Sequence, residues 1–171
     1  GKPVLLVGGG HVALRKARTL LSAGAVLQVV SHEFLDDFLQ WQAQGKAQLV
    51  QGDFQDSQLE DVWLVIAATD DDALNARVHQ AALARKVWIN TVDQQDKCEF
   101  IFPSIIDRSP IQIAISSGGA APVLVRRLRE QLEALLPQYL GPLARLVGKY
   151  RQKVQEKLDN FAERRQFYEK V

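Results

Sequence analysis

A short apolar run, Val4-Leu5-Leu6-Val7, passes directly into Gly8-Gly9-Gly10, and helix-periodic apolar positions begin at Val12. Few backbones accommodate a buried strand, a glycine turn and a helix in so short a span. The same alternation continues for the first 102 residues. Val12 to Ala23 reads as a helix stopped by Gly24, Val26 to Val30 as a strand, Glu33 to Gln44 as a helix and Ala47 to Val50 as a strand. Val62 to Ala68, continuously apolar and rich in β-branched residues, reads as a fourth strand. Asp72 to Arg85 follows as a helix that Asp70, Asp71 or Asp72 could cap. Val87 to Val92 is a fifth strand, and Glu99 to Phe102, stopped by Pro103, a sixth. Strands and helices in alternation predict a parallel sheet with crossover helices, and continuous rather than alternating apolar strands predict that both faces are covered. The expected fold class is α/β, a Rossmann-type doubly wound parallel sheet.

The pattern changes after Pro103. Ile111 to Ile115 is one more strand, and Ala121 to Leu136 a helix with Pro122 in its first turn. Residues 139–171 show only amphipathic helical spacing, with Leu140, Leu143, Leu146, Val147, Tyr150 and Val154 on one face. The expected organisation is therefore a dinucleotide-binding domain over 1–102, a dimerisation region over 103–138 and a helical region over 139–171. The part after Pro103 is too small and linear for a core of its own and is expected to pack against a second copy of the chain.

Composition narrows the class. Of 171 residues 47% are hydrophobic and 24% charged, which excludes intrinsic disorder. The net charge of +1 gives no global attraction for nucleic acid, although the last 31 residues carry 8 basic and 4 acidic side chains. The single cysteine, Cys98, forbids an intrachain disulfide and suits a reducing, cytoplasmic setting. No apolar run approaches the roughly 20 residues that span a bilayer, and the N-terminus does not read as a signal peptide. The lack of any methionine suggests a piece of a longer reading frame or a processed product.

Four segments could carry chemistry. Gly8, Gly10 and Ala13 fit G-x-G-x-x-A between a strand and a helix, the context in which a pyrophosphate sits on a helix N-terminus. A tight turn without ligand is the alternative. The acid that usually marks NAD at the end of the second strand is missing: Ser31 stands there, Glu33 comes two residues later, and no arginine is close in sequence to hold a 2′-phosphate. The residues alone favour NAD over NADP. Thr69, in Ala67-Ala68-Thr69-Asp70-Asp71-Asp72, falls at the same sheet edge and could touch a cofactor, the aspartates being placed for capping. Asp93, after the fifth strand, would face the same crevice as a general base or simply end a turn. Ser116, Ser117 and Gly118, between a strand and a helix, could hold an anion or serve as an ordinary N-cap loop. His11, His32, His79 and Cys98 lack metal-ligand spacing, so no resident metal is expected.

With these motifs in view, the chain resembles the N-terminal module of siroheme synthase. The resemblance is carried by Val7-Gly8-Gly9-Gly10 with Val12-Ala13 and Arg15-Lys16-Ala17, by Ile66 to Asn75, by Pro103 to Pro110, by Ser116-Ser117-Gly118-Gly119, and by Glu163 to Lys170. It implies NAD-dependent oxidation of precorrin-2 to sirohydrochlorin, followed by insertion of ferrous iron, a substrate, to give siroheme. It implies Asp93 as general base in both steps, NAD contacts at His11, Val12, His32 and Glu33, and a phosphorylatable serine at Ser117. The family often has an acidic residue where His11 stands. The resemblance further implies a homodimer, and the 171 residues are expected not to include the C-terminal methyltransferase module of many members. Arg15, Lys16, Arg108, Arg126 and Arg127 are candidates to meet the substrate's carboxylates, with surface ion pairing the alternative for each. A dehydrogenase without chelatase activity, or a non-catalytic NAD-sensing module, are the competing readings.

Overall fold

A computed structural model describes residues 1–158 and 160–170. The chain divides into two compact units, Gly1–Ile101 and Phe102–Val171. In the first, five strands form one parallel sheet: β1 (Pro3–Val7), β2 (Val26–Ser31), β3 (Ala47–Gln51), β4 (Leu64–Ala67) and β5 (Trp88–Thr91), in the order β3-β2-β1-β4-β5. Helix α1 (His11–Ser22) joins β1 to β2, α2 (Asp36–Ala43) joins β2 to β3 and α3 (Asp72–Arg85) joins β4 to β5, while β3 reaches β4 through a short 3-10 turn at Asp56–Leu59. This is the doubly wound Rossmann-type arrangement, whose strand order reverses beside β1.

The sheet forms because its strands are apolar on both faces. Val4, Leu5, Leu6 and Val7 of central β1 are all buried, as are Val65, Ile66 and Ala67 of β4. Burial of each large aliphatic side chain contributes about 1.5–3 kcal/mol before entropic costs. Register matters more to function. Val7 lies opposite both Val30 and Ala67, Ser31 opposite Gln51, and Ala67 opposite Thr91. The five carboxyl ends therefore share one edge, and the segments that leave it start side by side.

Three expectations needed revision in this unit. Glu99 to Phe102 is not a sixth strand. The chain returns antiparallel beside β5 through one bridge, Asn90 with Cys98, and the Glu99 N–H donates to the Ile89 carbonyl. A parallel sixth strand would need a crossover of a dozen or more residues, and the connection is far shorter. Helix α2 starts at Asp36 rather than Glu33, because Leu35 is held extended, its N–H donating to the Gly9 carbonyl. β4 starts at Leu64 rather than Val62, although the Trp63 N–H still donates to the Pro3 carbonyl of β1.

The second unit contains an antiparallel hairpin, β6 (Ser104–Arg108) and β7 (Ile111–Ile115), and helices α4 (Pro122–Leu135), α5 (Leu140–Lys157) and α6 (Phe161–Glu169). Strand β6 lies within the Pro103–Pro110 motif and was not expected. Its sole fully buried apolar side chain, Ile106, faces the same way as Ser104 and Arg108, so the segment shows no apolar run. Arg108 is 9% exposed. Its guanidinium donates to the Leu136 and Glu133 carbonyls at the end of α4, which gives it a structural task and removes it from the candidates for substrate carboxylates. Gly141 lets α5 approach the hairpin turn: a Cβ there would come within 2.6 Å of the Ser109 carbonyl oxygen.

Candidate functional site

A cleft of about 1010 Å³ opens along the carboxyl edge of the parallel sheet. Its floor is the glycine loop after β1. One wall comes from residues 31–35 after β2 and 52–54 after β3. The other comes from Ala68 to Asp71 after β4 and from Ala73, Leu74 and Arg77 of α3.

The three glycines do different work. Gly8 has a φ of 124°, and a Cβ on it would press against the Ala68 carbonyl. A Cβ on Gly9 would press against the Glu33 carbonyl and stand 2.8 Å from Ser31 Oγ. These two are required by the protein itself, because three strand ends crowd the loop. Gly10 is different. Its φ of −87° suits any residue, and a Cβ there would meet no protein atom within 4 Å. Neither conformation nor packing within the protein asks for glycine at that position.

Gly10 is also the N-cap of α1. No side chain among the described residues caps that helix, and its first turn holds no acid. Its leading N–H groups and the positive end of its dipole are therefore left for an anion. His11 and Val12, the first two residues of α1, line the cleft there. Thr69 is placed in the wall as well, but its hydroxyl is engaged, donating to Asn75 Oδ1 at 2.8 Å, while the Asn75 amide donates back to the Thr69 carbonyl at 2.9 Å. Asp71 supplies the cap of α3 by accepting from the Ala73 and Leu74 N–H groups. The residues present thus fit a pyrophosphate-bearing dinucleotide.

His32 and Glu33 line the wall after β2, and His32 Nε2 lies 2.9 Å from Asp53 Oδ1. Sequence reasoning passed over Asp53 because it sits after a different strand. It also passed over Arg77, which is remote in sequence from the second strand yet lines the cleft from α3. Arg77 is already occupied: Asp56 lies 3.4 Å from it, and Phe54 lies beneath its guanidinium at 5.5 Å. The wall is acidic on balance, with Glu33, Asp53, Asp70 and Asp71 against Arg77.

Asp93 is on the same sheet edge, but it is not among the residues that wall the cleft. It follows β5, the outermost strand on that side, and is exposed in a left-handed conformation with φ 60°. Its loop is fastened from below. Buried Asn90 donates to the Phe100 carbonyl at 2.9 Å, and the Cys98 thiol donates to the Thr91 carbonyl at 3.1 Å. Burial pushes the Cys98 thiol up from its ordinary value, which keeps it protonated and structural. Lys16 of α1 is part of the same electrostatic neighbourhood. Its pKa is lowered, by burial first and by Arg15 second, while Cys98 and Asp93 act in the opposite sense.

Ser116, Ser117 and Gly118 belong to the second unit. Ser116 Oγ accepts from the Gly118 N–H at 3.1 Å, and Ser117 Oγ accepts from the Ala121 N–H at 2.9 Å, so both hydroxyls organise the loop that enters α4. Among the described residues no group of three or more His, Cys, Asp or Glu side chains could hold a metal ion.

A family described as putative NAD(P)-binding matches residues 1–104. The chain belongs to that family. Residues 108–135 match the sirohaem biosynthesis protein central region, and residues 139–171 the sirohaem synthase dimerisation region. Siroheme synthase 2 of Cronobacter sakazakii is 56% identical over 166 residues, and siroheme synthase of Pseudoalteromonas translucida 52% identical over 170. These alignments take in 97% and 99% of this chain but 36% of each relative, so the chain spans about a third of their length. A solved structure of SirC, a precorrin-2 dehydrogenase, superposes with a TM-score of 0.79 at 24% identity, covering 97% of this chain and 82% of that one. That likeness establishes the fold across both units of this NAD(P)-binding family member. No helix among the described residues is long and apolar enough to cross a membrane.

Proposed function

We propose that the chain is an NAD-dependent precorrin-2 dehydrogenase module, yielding sirohydrochlorin, and that it contributes to insertion of ferrous iron into that product. The observation that carries the reading is the open ground at Gly10 and the uncapped start of α1, together with more than 50% identity to siroheme synthases along nearly the whole chain. NAD would supply the hydride acceptor. Gly8, Gly10, His11 and Val12 would hold its pyrophosphate, His32 and Glu33 its adenosine half, and the small residues up to Thr69 would leave room for the rest.

Asp93 would take the proton that accompanies hydride loss, and in chelation a pyrrole proton as iron, a substrate, enters. Its exposure suits exchange of that proton with solvent. Lys16 supplies a nearby positive charge. In the second unit Ser116, Ser117 and Gly118 would meet a substrate carboxylate, and Ser117 would be the modifiable serine.

The same second unit would join two copies of the chain. Leu124, Leu128, Leu132 and Leu135 of α4 recur at helical spacing and are all exposed, Leu135 by 76%. They form one apolar stripe beside the segment that matches a dimerisation region. Sedimentation is expected to give twice the chain mass at micromolar concentration, and a monomer mass would overturn this part.

Activity is tested by NADH formation from enzymatically generated precorrin-2 and NAD under anaerobic conditions. Asp93→Asn is expected to lower turnover by about 10²–10⁴-fold while NADH binding stays unchanged. One observation favours a second reading, a non-catalytic NAD sensor: Asp93 lies outside the cleft wall. Binding of NAD without turnover by the wild-type chain would select it. For chelation, sirohydrochlorin and Fe²⁺ should combine faster with the protein than without; equal rates would leave a dehydrogenase alone.

A further inference from the structure

The end of β2 carries no acid, and an acid, Asp53, follows the neighbouring strand β3. In sheets of this type an acid at the end of the second strand accepts from the ribose hydroxyls and opposes a 2′-phosphate. Here β2 ends in Ser31. β3 runs beside it with Gln51 opposite Ser31, and Asp53 stands two residues beyond that pair. The geometry holds it there. The Gly52 N–H donates to the Ser31 carbonyl at 3.1 Å, Gln51 Nε2 donates to the His32 carbonyl at 3.1 Å, and Phe54 is buried behind the turn. The Asp53 carboxylate lies 2.9 Å from His32 Nε2, and its side chain is 75% exposed within the cleft wall.

We infer that Asp53, oriented by His32, is the residue that makes this cleft select NAD over NADP, an inference that rests on the dinucleotide reading above. The exposed carboxylate can accept from a 2′-hydroxyl. Against a 2′-phosphate it sets like charge beside like charge, which specific sites use to reject a wrong ligand. Arg77 could have offset that repulsion, but Asp56 engages it. Selectivity invisible at the end of β2 is thus built from the segments that leave two neighbouring strands, His32 after β2 and Asp53 after β3.

The test titrates wild type, Asp53→Asn and Asp53→Ser with NADH and with NADPH, following nucleotide fluorescence, with thermal melting as the check on folding. Wild type is expected to prefer NADH. Both variants are expected to bind NADH more weakly and NADPH relatively better, cutting the preference by about tenfold, or ~1.4 kcal/mol. An unchanged preference in the two folded variants overturns the assignment, as does a wild type that binds both nucleotides equally. A wild type that binds neither overturns the dinucleotide reading itself, a distinct failure because no preference is then measurable in any protein of the series.

Discussion

Helices α1 and α3 start at the same edge of one sheet, each directly after a neighbouring strand, and their first turns are completed in opposite ways. At α3 the protein does everything itself: Asp71 accepts from two N–H groups of the first turn, and Thr69 and Asn75 clamp the approach. At α1 the N-cap is Gly10, no side chain among the described residues answers the helix, and space lies open beside it. Equivalent positions in the topology have been treated unequally, and in the function proposed above the difference marks where the ligand's charge sits. A glycine motif alone would not separate the two, because turn glycines and ligand glycines have the same formula. What separates them is whether the protein needs the missing Cβ.

Substitutions can break that contrast. The largest effect is expected from Gly9→Ala. Its Cβ has nowhere to go between the Glu33 carbonyl and Ser31 Oγ, so the loop must shift. A loss of about 3 kcal/mol is expected in urea unfolding, at the upper end for overpacking, and nucleotide binding should fail with it. Asp71→Ala removes the self-made cap of α3. About 1 kcal/mol of stability should go, with NADH affinity little changed; a binding loss exceeding the stability loss would mean that α3 also serves the ligand.

The smallest effect concerns another carboxylate that accepts from a backbone N–H, Asp107 in the second unit. It takes bonds from the Ser109 hydroxyl at 2.6 Å and the Ser109 N–H at 2.7 Å, and these, the hydroxyl first, hold its pKa below the ordinary 3.8. Folding therefore favours the charged form. The stabilisation is complete above pH 3.8 and is lost as pH falls through the lowered value. Acid unfolding of wild type should be steeper below that point than that of Asp107→Asn, and identical profiles would show the bonds to be without thermodynamic effect.

Most of the sheet was legible because parallel strands are apolar on both faces and need no partner's pattern to be recognised. Helix α3 was read at its observed bounds, since Asp71 and the apolar spacing both mark it. The failures share a cause in contacts remote along the chain. Glu99 to Phe102 is β-rich but is placed by the return of a short connection, and β6 hides its few buried positions among polar ones. In the site, Gly8, Gly10, His11, Val12, His32, Glu33 and Thr69 come together as the strand ends require. Asp53 and Arg77 could not be read, since one follows the next strand and the other lies more than a turn into a helix. Pairing β2 with β3 before looking for the acid would have found the first. Asp93 was expected in the same crevice, but β5 lies outermost, so its loop flanks the cleft rather than walling it.

The most direct measurement is NADH binding by Gly10→Val beside wild type, with melting temperatures for both. A valine there has an allowed backbone and open space on the protein side, so melting should fall by no more than a few degrees. NADH affinity should drop by at least about tenfold, because the side chain fills the ground proposed here for the pyrophosphate. Wild-type affinity in a folded Gly10→Val protein would contradict the account, since the open end of α1 would then hold nothing.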